Sequence, residues 1–276
     1  MNYEPPTIKI MQTVLITGGS SGIGYELSRL FAKDGYRLLW VSKPPEELAN
    51  AKAKLEQETA GVEIHTLSKD LSIAESTQEV YAWTQSLGFQ VDVLVNNAGF
   101  ATYGNFEDIA SEKELALIGV NISCVMLLTK LFVKDMIARD SGKIMNISSA
   151  VSYQAIPLMG VYAGTKAFVR IMSDSIYYEL KYRKSKVKIT TVCPGAIKDT
   201  KFQAAAGMQN IRTFSSITTT TPDEVAKDAY RGLKKGKRLV HTGLRYRIGK
   251  LLTKITPQSL KMQVIKGEMG KVKLKG

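Results

Sequence analysis

Short apolar runs and longer amphipathic stretches alternate along this chain. Thr13-Val-Leu-Ile16, Arg37-Leu-Leu-Trp-Val-Ser42 and Val91-Asp-Val-Leu-Val95 are almost continuously apolar. Runs of that kind read as strands covered on both faces, as in a parallel sheet. Between them apolar residues return at helical spacing, as Ile23, Leu27, Leu30 and Phe31 do. The pattern predicts strands near 12–17, 37–42, 62–66, 91–95, 142–148, 187–192 and 238–241. It predicts helices near 22–34, 45–59, 73–87, 112–138, 161–183 and 222–235. This order predicts an α/β fold, a doubly wound three-layer αβα sandwich on a mostly parallel seven-stranded sheet. The domain would run over 12–241, after a short polar extension at 1–11 and before a basic segment at 242–276.

Composition narrows this picture. A chain of 276 residues with 44% hydrophobic content suits one such domain. No stretch of about 18 apolar residues is free of charge, so no membrane-spanning helix is expected. The most apolar region, Leu115 to Val133, carries Asn121 and Lys130 and reads as a long central helix able to join a partner subunit. The N-terminus lacks the basic–apolar–small pattern of a signal peptide. Cys124 and Cys193 lie in apolar elements without a Cys-x-x-Cys, which suits buried thiols in a reducing cytoplasm. His65 and His241 are isolated, and no metal-ligand cluster is present in the sequence.

Charge is uneven. From Ala226 onward there are 15 cations against two anions, a surplus equal to the whole chain's net charge of +13. Leu244, Ile248, Leu251, Leu252 and Ile255 form a helical stripe with Arg245, Arg247, Lys250 and Lys254 around it. Thr256-Pro257 reads as the start of another helix. The stripe either packs against the domain or a partner subunit, or lies on an anionic membrane. Aromatic residues are sparse here, which disfavours nucleic acid.

Two motifs carry chemistry. Thr17-Gly-Gly-Ser-Ser-Gly-Ile-Gly24 joins the first strand to the first helix, the required context for a dinucleotide site. Glycine permits the tight turn and lets backbone approach a pyrophosphate, while the helix start offers free N–H groups and a positive partial charge. Downstream, Tyr162 and Lys166 stand four apart and share a helix face. Five tyrosines have Lys at that spacing, but only Tyr162 has a hydroxyl, Ser149, thirteen residues earlier. A nearby ammonium favours the phenolate and would lower the Tyr162 pKa from its usual value of about 10.

Together with Asn96-Asn97-Ala98-Gly99, Asn121 and Pro194-Gly195, these motifs resemble the short-chain dehydrogenase/reductase family, in that family's order. The resemblance covers roughly Gln12 to Phe202 and implies a Rossmann-type fold. It implies Tyr162 as acid/base, Ser149 bonding the substrate oxygen, Lys166 holding the nicotinamide ribose and Asn121 anchoring a water. For the cofactor it implies contacts from Gly18, Ser20, Ser21, Gly22, Ile23, Gly24, Ser42, Lys43, Asp70, Leu71, Asn97, Ala98, Gly99, Pro194, Gly195 and Ile197. The family's usual Thr is displaced: Asp199 stands in its place and Thr200 follows. A loop one residue longer, with Thr200 on the nicotinamide, is the favoured reading.

Ser42 and Lys43 close the second strand where NAD-type sites carry an acid, so NADP(H) is the expected cofactor, with NAD(H) admissible. The alternative for Lys43 is a solvated surface cation. Residues Ala150 to Val161, with Val151, Tyr153, Ile156, Leu158 and Met159, would form an apolar substrate pocket under a lid near 200–221. The resulting expectation is an oxidoreductase interconverting a carbonyl and an alcohol, as a homodimer or homotetramer built through helices 112–138 and 161–183. A narrower version takes a ketoacyl or lipid ketone at a membrane engaged by the tail. A different class, a non-catalytic NADP(H)-binding sensor or scaffold, is disfavoured because Asn121, Ser149, Tyr162 and Lys166 are all intact.

Overall fold

The computed structural model describes residues 11–198, 202, 206 and 219–243. Seven strands form one sheet: β1 (Thr13–Thr17), β2 (Arg37–Ser42), β3 (Ile64–Ser68), β4 (Val91–Asn96), β5 (Lys143–Ile147), β6 (Lys188–Cys193) and β7 (Leu239–His241). Their order is β3-β2-β1-β4-β5-β6-β7. Every neighbouring pair is parallel, so the sheet is more uniform than the mostly parallel one expected.

The helices are α1 (Gly22–Lys33), α2 (Pro45–Glu58), α3 (Glu75–Ser86), α4 (Ser111–Ile118), α5 (Val125–Ala138), α6 (Gly160–Tyr182) and α7 (Pro222–Lys234). Successive strand residues face opposite sides. Val14 and Ile16 pack with residues of α1, α2 and α7, while Leu15 packs with residues of α3, α5 and α6. Each apolar strand therefore feeds two cores, which makes the three layers. Thr221, Pro222 and Glu224 start α7 with a full capping box.

Three details depart from the sequence reading. Strand β3 is shifted two residues along, because it is an edge strand with alternate residues exposed and a weak apolar signal. The helix expected over 112–138 is broken by a π-helical turn at Gly119–Cys124. A side chain at Gly119 would meet the Ser72 carbonyl at 2.4 Å, so only glycine lets the helix pass there. Ser111–Ala138 is also long and apolar enough to cross a membrane by length and composition. The test for a charge-free run missed it because Lys130 interrupts the run. Leu128, Phe132 and Met136 of this helix are buried on the sheet, the place of a core helix.

The chain runs outward through β1, β2 and β3 and then returns to β4 beside β1. That reversal leaves a crevice at the carboxyl ends of β1 and β4, where open α/β sheets bind ligands. Gly24 sits on it, and an added Cβ there would lie 2.0 Å from the Gly18 carbonyl oxygen. Gly24→Ala is therefore expected to cost about 2 kcal/mol or more in urea unfolding, as overpacking against backbone does. Gly164→Ala, exposed on α6 with nothing within 4 Å of the new methyl, should instead gain about 0.5–1 kcal/mol.

Candidate active site

The glycine turn occupies the crevice. Gly18 and Gly22 hold φ of +67° and +53°, values that favour glycine. Thr17 and Asn97 latch the turn to β4. The Thr17 hydroxyl accepts from the N–H groups of Asn97 and Ala98 at 3.0 Å each. The Asn97 amide donates to the carbonyls of Thr17 and Gly18 at 3.0 and 3.1 Å. Ser21 is the N-cap of α1 without a side-chain cap bond, and the first turn carries no acid. The first N–H groups of α1 are thus open to an anion with no carboxylate of its own turn competing. Ile23 packs on the core beneath. These features fit a dinucleotide's pyrophosphate.

At the neighbouring end of β2, the Ser20 hydroxyl donates to Glu47 Oε1 at 2.9 Å and pairs with the Ser42 hydroxyl at 3.2 Å. The Lys43 ammonium is exposed and ion-pairs with Asp70 Oδ2 at 2.6 Å. Asp70 also accepts from the Ser72 backbone and hydroxyl at 3.0 and 2.7 Å. The Lys43 hydrogen bond, followed by those of Ser72, holds the Asp70 carboxyl down at about 2. Leu71 points into the core and is buried.

The groups expected to be chemically active meet beyond β5. Ser149 follows that strand and accepts from the Val151 amide at 3.3 Å, starting a short 3-10 turn at Ala150–Tyr153. Its hydroxyl also hydrogen-bonds the phenol of Tyr162. Tyr162 and Lys166 face inward from α6 and are both buried. The Lys166 ammonium donates to the Ile147 carbonyl at 3.1 Å and lies 5.8 Å from the centre of the Tyr162 ring. Burial pushes the Tyr162 phenol up to about 12, the Ser149 hydrogen bond opposing it. Burial likewise pushes Lys166 down to about 8. In the protein by itself, burial rather than Lys166 sets the phenol, and the lowering expected from the ammonium is absent.

Asn121 lies in the π turn and is fully buried. Its side-chain amide donates to the Phe100 carbonyl at 3.0 Å and to Thr165 Oγ1 at 3.1 Å, and its oxygen accepts from the Phe100 N–H at 3.3 Å. A Cβ on Gly99 would lie 2.9 Å from Asn121 Oδ1 and 3.3 Å from Lys166 Nζ. Gly99, Asn121 and Lys166 therefore share one wall. Thr165 was missed by the sequence reading: it bridges Asn121 to the Tyr162 carbonyl, to which it donates at 2.7 Å. Pro194 accepts from the Ala150 amide at 2.7 Å, tying Gly195 and the end of β6 to the Ser149 turn. Ile197 bridges to Thr220. Asp199, Thr200 and most of the expected lid lie outside the described residues, as do residues 244–276.

Ile156, Met159 and Tyr162 cluster with Ala101, Leu117 and Ala206, and Phe202 lies 5.7 Å ring to ring from Tyr162. Tyr153, expected as a pocket wall, instead bonds His241 Nε2 at 3.4 Å and stacks beneath Arg170. Leu158 adopts φ of +67°, a strained value for a branched side chain.

A nucleotide crevice with a Ser–Tyr–Lys group beside it defines a dehydrogenase-type α/β protein. The family model described as short chain dehydrogenase matches residues 12–210, and the chain belongs to this family. Its members are oxidoreductases acting on CH–OH or ketone groups with NAD or NADP. The chain is 30% identical over 215 residues to a very-long-chain 3-oxoacyl-CoA reductase of Mycosarcoma maydis, covering 77% of this chain and 59% of that one. It thus spans about three-fifths of that relative's length. It is 31% identical to oxidoreductase UcpA of Salmonella typhimurium over 75% of this chain and 78% of the relative. A solved short-chain dehydrogenase from Sphingobium yanoikuyae, in complex with NADPH, superposes with a TM-score of 0.77 at 27% identity, covering 90% of this chain and 98% of that one.

The buried lysine makes stability pH-dependent. Lys166 binds its proton less readily folded (about 8) than unfolded (about 10.5). Below pH 8 the buried charge is a penalty, and it is relieved as pH rises from 8 towards 10.5. Lys166→Met should raise unfolding stability at pH 7 by about 2 kcal/mol and remove that rise, as read by denaturant melts at several pH values. A melt whose pH slope is the same in both proteins would contradict it.

Proposed function

We propose that the protein is an NADP(H)-preferring oxidoreductase that reduces an apolar ketone or aldehyde to its alcohol, and catalyses the reverse. The observation that carries this reading is the buried Tyr162–Lys166 pair, with half-buried Ser149 at its phenol and Gly99 beside its ammonium. When bound, the dinucleotide supplies or accepts the hydride. The chain's residues manage the oxygen. A carbonyl oxygen that gains a hydride's electrons needs a proton and charge stabilisation. Tyr162, held protonated by burial, delivers that proton from its phenol. Ser149 donates a hydrogen bond to the same oxygen. Lys166 holds the ribose and, with its pKa brought down to about 8, carries a proton that can replace the one Tyr162 gives up. Asn121 fixes Phe100 and Thr165 around this group, and the family resemblance adds a relay water there.

Lys43, exposed at the end of β2, supports the NADP(H) preference: it offers a cation to a 2′-phosphate in place of an acid for ribose hydroxyls. The NADPH complex of the Sphingobium neighbour agrees with it. Apolar Ile156, Met159 and Phe202 around Tyr162 favour a hydrophobic substrate. The 3-oxoacyl-CoA reductase relative makes a ketoacyl or lipid ketone the preferred narrower class. Leu115, Phe168, Ile171 and Tyr182 are exposed on α4 and α6, which supports pairing with a second copy through those helices.

Tyr162→Phe should lower turnover of apolar ketones by about 100-fold or more and leave NADPH binding, followed by fluorescence, unchanged. A Phe variant with full activity would overturn the catalytic assignment. The basic segment 242–276 predicts co-sedimentation with anionic vesicles at low salt that fades at high salt. Absence of binding at low salt assigns the stripe to packing.

A further inference from the structure

Ser149 has to be aimed at the reacting oxygen, yet it stands on an irregular piece of chain. It opens the 3-10 turn Ala150–Tyr153, whereas Tyr162, to whose phenol it hydrogen-bonds, sits on α6. Two grips join this piece of chain to α6. Ahead of Ser149, the Ser148 hydroxyl donates to the Lys166 carbonyl at 2.8 Å. Beyond it, Arg170 holds the end of the turn twice. Its Nη2 donates to the Ser152 carbonyl at 3.4 Å, and its guanidinium lies 4.6 Å from the centre of the Tyr153 ring. The Tyr153 hydroxyl reaches the ends of β6 and β7, 3.8 Å from Cys193 Sγ and 3.4 Å from His241 Nε2. Arg170 comes four residues after Lys166 and eight after Tyr162, along one row of the helix. Ser149 is therefore spanned between two attachments to the helix that carries its partner.

We propose that Arg170 is a positioning residue: by clamping the Ser152 carbonyl and the Tyr153 ring onto α6, it keeps the Ser149 hydroxyl aimed at the oxygen that Tyr162 serves. The proposal rests on the reaction read above and deepens it. A guanidinium stays charged throughout the working pH range, so Arg170 acts through geometry and adds no proton of its own. Without the clamp the turn is held to α6 only from the Ser148 side, and small displacements of a group at a reacting centre are costly.

The test measures turnover of 2-alkanones of increasing length and of a 3-oxoacyl thioester with NADPH, for the full-length protein, Arg170→Ala, Ser149→Ala and the double variant. Arg170→Ala is expected to lower kcat about tenfold and to leave KM and NADPH affinity, followed by fluorescence, unchanged. In the Ser149→Ala background it should cost less than about twofold more, because the hydroxyl it aims is gone. Arg170→Lys keeps a cation over the ring and a donor for the carbonyl, and should restore part of the loss. If Arg170→Ala is fully active, or slows the protein by the same factor with and without Ser149, the clamp is overturned, since damage to the fold spares neither background. Tyr153→Leu removes the other face of the clamp and carries the same test where Arg170→Ala does not fold. If Ser149→Ala itself keeps full activity, the reading above fails at Ser149 and takes the clamp with it, whereas failure at Arg170 alone leaves that reading intact. If the unaltered protein reduces none of these ketones, both fall together.

Discussion

Four hydrogen bonds between Thr17–Gly18 and Asn97–Ala98 hold the carboxyl ends of β1 and β4 together. Everything in the crevice is placed relative to that latch. It fixes the glycine turn in its left-handed geometry and so sets where α1 begins. It also sets the departure of the chain through Gly99 and Phe100, whose backbone grips Asn121. From Asn121 the contacts pass to Thr165 and to the main chain of Tyr162. The nucleotide end and the reacting end of the crevice are thus one connected set of hydrogen bonds, and polar groups this deep must be paired to be tolerated.

A second polar layer lies beneath. The Asn96 amide donates to Asn146 Oδ1 at 2.8 Å, and Asn146 donates to Ser173 at 2.9 Å, linking β4, β5 and α6 inside the sheet's core. Ser148 donates to the Lys166 carbonyl at 2.8 Å. These bonds orient the buried face of α6, which carries a lysine and a tyrosine that an apolar core would not accept. Burial disfavours both charged forms, raising the tyrosine and lowering the lysine. In the proposed reaction this destabilising pair stands where a proton must be exchanged, a pattern common at reacting centres.

The family's fold was legible in the chain because its signals are local. Continuous apolar strands such as Val14–Ile16 and Leu38–Val41 mark a sheet covered on both faces, and helical spacing marks the layers. The crevice was legible for the same reason: a glycine turn between a strand and a helix has few other uses. Less legible were elements whose shape depends on neighbours. Strand β3 slid along its edge, and the long central helix takes a π turn that begins at Gly119, where the chain passes close to the Ser72 carbonyl. Tyr153 looked like a pocket wall in sequence, but His241, distant along the chain, drew it aside.

The spacing of Ser149, Tyr162 and Lys166 and the order of the motifs established the class of chemistry, since those residues lie within a strand–turn–helix unit that sequence describes well. What only the tertiary structure decided were the electrostatics. Whether Lys166 or burial governs Tyr162 depends on how much apolar matter surrounds them. Whether Lys43 stands alone depends on Asp70 from the next strand's end, and whether the second strand ends beside an acid depends on how α2 folds back over Ser20. Charge acts through space, and the distances that matter join residues the sequence holds apart.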